Sequence, residues 1–151
     1  MASECICDEI VFPVEFYDVD SMKIVWHGNY VKYMEKARCS LLDKIGFGYL
    51  EMVKVGVVFP VAEMKLKYVR SLRFGERVRI ISRLVEYENC IKIKYEFYNA
   101  ESGELTTKAE SMQMAVEMES GKTLFVCPQI FLDKVEKMME EKNEGPDETE
   151  K

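Results

Sequence analysis

Two aspartates and the only histidine of the chain stand close together in Phe16-Tyr17-Asp18-Val19-Asp20-Ser21-Met22-Lys23-Ile24-Val25-Trp26-His27, just ahead of a stretch with helical periodicity. A carboxylate held near a helix N-terminus lies beside backbone N–H groups that lack intrahelical partners and can polarise a substrate oxygen. One oriented base plus donors aimed at a developing oxyanion is the minimum equipment for splitting an ester or a thioester. Asp-x-Asp also forms turns with no catalytic role, so spacing alone leaves both readings open. His27 can act as acid or base near neutral pH, yet a lone histidine beside a helix start equally well packs or caps.

Other chemistries find less support. The five cysteines, Cys5, Cys7, Cys39, Cys90 and Cys127, form no Cys-x-x-Cys pair, and one histidine does not complete the usual zinc signatures. Reduced thiols and no metal are expected, with Cys39 in the core on an apolar helix face. The net charge of −6 argues against nucleic acid as a partner. No apolar run approaches the ~20 residues needed to cross a bilayer, so no membrane span is expected. The N-terminal residues lack the basic and apolar segments of a secretory signal, which points to a cytoplasmic protein.

The 151 residues read as one domain over 1–142 and an acidic, disordered tail over 143–151. Residues 10–17 read as a first strand, with Pro13 placing it at an edge or a bulge. From Asn29 to Gly46, residues Tyr30, Tyr33, Met34, Ala37, Leu41 and Ile45 recur at helical spacing, with Val31 and Leu42 widening the stripe. Asn29 is a candidate N-cap, Glu35 and Arg38 a candidate i,i+3 pair, and Gly46 a candidate stop. A helix apolar over so much of its girth needs wrapping. Alternating residues over Ala62–Tyr68, Arg77–Val85 and Ile91–Tyr98 supply strands to wrap it, and Met112, Met114, Val116 and Met118 continue the inward pattern. Turn residues fall at Gly75, Glu88-Asn89 and Ser102-Gly103. Pro128 opens a final helix carrying Phe131, Leu132, Val135, Met138 and Met139, expected to pack as an appendage.

Tyr17-Asp18-Val19-Asp20, Ile24-Val25-Trp26-His27, Asn29-Tyr30 and Glu35-Lys36-Ala37-Arg38 together resemble the 4-hydroxybenzoyl-CoA thioesterase family, and more particularly its bacterial short-chain acyl-CoA thioesterases. A second match runs from Leu66 to Glu76, similar to that family's Tyr-x-x-Pro-x-x-x-Gly-Asp strand and turn. The resemblance implies an α+β hotdog fold: a long central helix wrapped by a curved antiparallel sheet of five or more strands, with a C-terminal helix. It also implies homodimers or homotetramers with the active site at the subunit interface.

Carried over by position, Asp20 is the catalytic base or nucleophile. The backbone N–H of His27 polarises the carbonyl, and the His27 side chain is a further candidate for catalysis or for orienting substrate or water. Trp26, Asn29 and Tyr30 are candidate substrate-binding residues, and Arg70 and Arg73 are candidates for coenzyme A phosphates. The implied reaction is hydrolysis of a short, medium or aromatic acyl-CoA to free acid and coenzyme A, with no cofactor beyond the coenzyme A carried by the substrate. The alternatives are an acyl-carrier-protein thioesterase and a non-catalytic acyl-CoA-binding hotdog module. Two departures stand out: Ser21-Met22-Lys23 replaces a small-residue turn ending in glycine, and Ser71 stands where proline is usual.

Overall fold

The computed structural model describes residues 6–144. Strand β1 (Ile6–Pro13) begins and ends earlier than expected, because Phe16–Asp18 close into a single turn of 3₁₀-helix. The chain then makes the carboxylate turn and enters helix α1 (Asn29–Ile45), where Tyr30, Tyr33, Met34, Ala37, Leu41, Leu42 and Ile45 are buried as the periodicity predicts. The stripe is narrower than expected, since Cys39 and Val31 face outward. Glu35 and Arg38 form the expected ion pair.

Gly46 ends α1 in the left-handed region at φ 93°, a conformation that costs glycine nothing. The N–H groups of Gly46 and Phe47 return to the Leu42 carbonyl at 3.0 and 2.9 Å, which turns the fully buried Phe47 into the core. A short helix, α2 (Tyr49–Val55), follows without an expectation from the sequence. The small strand β2 (Val57–Val58) comes next.

Strands β3 (Val61–Tyr68), β4 (Arg77–Glu86), β5 (Ile91–Asn99) and β6 (Leu105–Gln113) form, with β1, a five-stranded antiparallel sheet in the order β1-β4-β5-β6-β3. Val78, Ile80, Leu84, Ile91, Ile93, Tyr95 and Phe97 form the apolar floor under α1, as their alternation predicts. On β6 the expected phase is wrong. Met112 and Met114 are only half-buried and Met118 is exposed, whereas Thr107, Ala109, Ser111 and Gln113 point inward. Two of these residues find side-chain bonds: the Tyr95 and Ser111 hydroxyls are 2.7 Å apart, and Gln113 Nε2 donates to the Phe59 carbonyl at 2.6 Å. Strands β7 (Ala115–Glu117) and β8 (Thr123–Leu124) pair with β2 in a second small sheet.

Helix α3 (Gln129–Glu144) belongs to the core and is no appendage. Phe131 and Val135 are fully buried, and the rings of Phe47, Phe59 and Phe131 lie 5.1–6.2 Å apart. Of the segment expected as an acidic tail, Asn143 and Glu144 close α3 and residues 145–151 lie outside the described residues. No described helix is long and apolar enough to cross a membrane. Cys39, Cys90 and Cys127 form no disulfide.

Burial pushes the Cys127 thiol from 9.0 to about 12, and the Tyr30 and Tyr95 hydroxyls from 10.0 to about 12. In the unfolded chain these groups release protons from their ordinary values upward, whereas the folded chain holds them to about 12. The unfolded state therefore binds fewer protons in that window, and stability must fall as pH rises through it. Urea unfolding midpoints should drop between pH 9 and pH 12, and Cys127→Ala should flatten the part of the slope nearest pH 9. A midpoint flat across the window would contradict the assigned burial.

Candidate active site

The carboxylate turn is a small hairpin closed on itself and pinned to the connection between β3 and β4. Asp20 N–H donates to the Ile24 carbonyl at 2.9 Å, Lys23 N–H to the Asp20 carbonyl at 2.8 Å, and Met22 N–H to Asp20 Oδ1 at 2.8 Å. Val19 pairs with Val25 and Ile24 with Arg73, while Val25 N–H donates to the Leu72 carbonyl at 2.8 Å. Asp20 is thus held by its backbone and by one carboxylate oxygen. Its Oδ2 has no hydrogen-bond partner among the described residues.

Lys23 sits at φ 69°, the left-handed conformation that a glycine would take. The departure from the usual glycine therefore leaves the turn's course intact, at the steric cost of a Cβ in that region.

Asp18 fastens this turn to α1. Its carbonyl accepts Trp26 N–H at 3.0 Å and Asn29 Nδ2 at 2.7 Å, and its buried carboxylate accepts the Tyr33 hydroxyl at 2.8 Å and Glu15 N–H at 2.9 Å. Beside that carboxylate the buried Tyr33 hydroxyl is held protonated far above its usual range, chiefly by desolvation. Asn29 is consequently neither the N-cap nor a residue facing the cavity. Gly28 takes the cap position, and the Asn29 amide reaches back to Asp18. A Cβ at Gly28 would overlap the Trp26 indole where the ring now lies, so a larger residue there would displace the ring. Among the described residues, the N–H groups of His27 and Gly28 have no hydrogen-bond acceptor.

A cavity of about 320 Å³ collects Asp20, His27, Tyr30, Tyr68 and Arg70. Tyr68, which the sequence reading did not single out, donates its hydroxyl to the His27 carbonyl at 3.0 Å, and its ring lies 5.2 Å from that of Tyr30. Its inward position at the end of β3, inside the second sequence match, is the signal that marks it. Trp26 lies beside His27 with ring centroids 5.1 Å apart and is about half exposed. Arg70 lines the cavity, with its guanidinium 3.9 Å from Glu104. Arg73 does not line it. Its backbone bridges Ile24, and its N–H donates to Glu76 Oε1 at 2.8 Å. Among the described residues, no group of three or more His, Cys, Asp or Glu side chains is placed to hold a metal ion.

Residues 14–145 match the thioesterase-like superfamily. The chain is 35% identical over 112 residues to YneP of Bacillus subtilis (strain 168), provisionally named an acyl-CoA thioesterase, covering 74% of this chain and 80% of that one. Among solved structures it is similar to a DHNA-CoA thioesterase from Staphylococcus aureus, with TM-score 0.80, 26% identity and coverage of 93% of this chain and 95% of that one. A 4-hydroxybenzoyl-CoA thioesterase in complex with 4-hydroxybenzoyl-CoA shares the fold at TM-score 0.76 and 16% identity, over 86% and 99% of the two chains. The sheet wrapped on one long helix is therefore the hotdog fold that the sequence motifs imply.

Replacing Lys23 by glycine removes a Cβ from the left-handed region without disturbing any bond of the turn. Lys23→Gly should raise stability by about 1 kcal/mol in urea unfolding. By contrast, Tyr33→Phe leaves a buried carboxylate oxygen of Asp18 short of a donor and should lower stability by about 1–3 kcal/mol.

Proposed function

Since the chain belongs to the thioesterase-like superfamily, we propose that it is an acyl-CoA thioesterase that hydrolyses a short, medium or aromatic acyl-CoA to free acid and coenzyme A. The observation that carries this reading is the pairing, in one cavity, of the Asp20 carboxylate with the start of α1, where the His27 and Gly28 N–H groups lack acceptors. Thioester hydrolysis needs these two devices and little else.

In this mechanism the acyl carbonyl oxygen lies against the His27 N–H, where negative charge develops. Asp20 takes a proton from water as the water oxygen bonds to the carbonyl carbon, giving a tetrahedral oxyanion that the N–H group stabilises. Collapse of that intermediate breaks the carbon–sulfur bond, and the thiolate of coenzyme A leaves with its electron pair. Alternatively Asp20 attacks the carbonyl carbon itself, the carbon–sulfur bond breaks as the thiolate leaves with its electron pair, and water then opens the resulting anhydride to the free acid and the Asp20 carboxylate. Tyr30 remains protonated at neutral pH and offers its hydroxyl as a donor, while His27 and Trp26 border the approach. Arg70 is available to a phosphate at the mouth.

The site reads best as the junction of two copies of the chain. The cavity around Asp20 is small for a ligand pocket, near the bottom of the usual range of roughly 300–1,000 Å³. Strand β3 leaves one edge of the sheet unpaired, and along it Val61 and Tyr68 are 39% and 48% exposed. Pairing of two such edges across a two-fold axis would bury them and place a second copy against the site.

Asp20→Asn preserves the size of the side chain and its bond to Met22 N–H while removing the base. It should lower kcat for the preferred acyl-CoA by about 10²-fold or more in a thiol-release assay, with an unchanged melting temperature. Undiminished turnover in that variant would overturn the assignment.

A further inference from the structure

The outward face of the sheet carries a second feature that the chemistry at Asp20 does not use. Lys65, Lys67, Arg83, Lys94 and Lys108 line a concavity of about 640 Å³, together with Glu96 and Glu110. Both carboxylates are already engaged: Glu96 with Arg83 at 3.3 Å, and Glu110 with Lys92 at 3.8 Å. Lys65, Lys67, Lys94 and Lys108 form no ion pair among the described residues, in a chain whose net charge is −6.

The register answers only part of this positive charge. Glu96 stands directly opposite Lys108, and Glu110 opposite both Lys94 and Lys65, but Lys67 also stands opposite Lys108 and Arg83 opposite Lys94, so two pairs of like charges face each other across neighbouring strands. Directly opposed like charges destabilise a sheet, and two carboxylates among five cations leave the concavity net positive. The four strands concerned span about 14 Å, three strand spacings, which is wide enough for phosphates at both ends of a nucleoside. The concavity also begins on Lys65–Lys67 of β3, and the residues that follow, Tyr68 to Ser71, line the Asp20 cavity.

We propose that this concavity binds phosphate ester groups carried on a nucleoside, with Lys65, Lys67, Lys94 and Lys108 as the donors. Clustered ammonium groups suit phosphate oxygens, and a bound anion offsets the positive charge that the two carboxylates leave unanswered. The same phosphate chemistry has two possible sources, the nucleotide end of a coenzyme A substrate or a free phosphorylated nucleoside. The first source rests on the acyl-CoA thioesterase reading, and the binding itself does not.

The test uses the full chain with adenosine 3′,5′-bisphosphate as the probe in calorimetry. One bisphosphate should bind per chain, more weakly as salt is raised, and Lys108→Glu or Lys94→Glu should weaken binding by about tenfold or more. Lys122→Glu, at a turn outside the concavity, should leave binding unchanged. Lys108→Glu places a carboxylate opposite Lys67 but also opposite Glu96, so the melting temperature is read on every variant and binding is compared where each is fully folded. Lys108→Gln serves as a second variant and should weaken binding less than the charge reversal.

Thiol release then separates the sources. A raised KM for acyl-CoA with an unchanged KM for the matching acyl-pantetheine assigns the phosphates to the substrate. Unchanged kinetics on both, with bisphosphate binding lost, assigns them to a free ligand. A chain that binds the bisphosphate through these lysines but hydrolyses no thioester keeps this site and removes the thioesterase reading. Absence of bisphosphate binding, or binding equal in Lys108→Glu and the unaltered chain, overturns the proposal.

Discussion

The buried Asp18 junction is the constraint on which the arrangement of the site depends. Its carbonyl takes one donor from Trp26, just ahead of α1, and one from Asn29 at its start, and its carboxylate takes one from α1 and one from the chain before the turn. Four bonds on one residue thereby lock the position of the Asp20 turn relative to the helix N-terminus. A base and an oxyanion donor on separate elements are useful only if their separation is held to a fraction of an ångström. Asp18 does this without touching the cavity, which explains why one aspartate of the pair is buried and the other partly open.

The second constraint is steric and comes from both faces of the sheet. Beneath α1, β6 presents Thr107, Ala109, Ser111 and Gln113 in place of the large side chains that β4 and β5 supply. Polar groups there are tolerated because most find partners, notably Tyr95 with Ser111 and Gln113 with the Phe59 carbonyl. On the opposite face, long charged side chains stand in alternation, with Glu96 and Glu110 opposite some of the lysines and Lys67 facing Lys108.

Strong periodicity was legible and weak periodicity was not. α1, β4 and β5 follow from their apolar spacing because each buries one continuous face against the same core. On β6 the methionines mimic an inward row, and their phase misleads, because helix-facing positions filled by Thr, Ala, Ser and Gln carry no hydropathy signal. Cys39 lies next to the apolar stripe of α1 but faces out, since burial on a helix is decided by which neighbour covers each angle. Helix α3 was legible as amphipathic, yet its place in the core needed Phe47 and Phe59, far away in sequence, to be seen converging on Phe131.

At the site itself, the residue types from Asp18 to Arg38 carry the family likeness, the carboxylate turn and the helix that follows it. Those are local properties, set by turn chemistry, capping and periodicity, and a chain contains them before it folds. Only the tertiary structure decided that Asn29 turns inward to Asp18 while Tyr68 joins the cavity, and that Arg73 supports the turn with its backbone while Arg70 reaches the mouth. It also decided that Lys23 adopts the backbone conformation of the glycine it replaces. Each of those outcomes depends on which segments meet, and hydrogen-bond partners and exposed angles come into being only when they do.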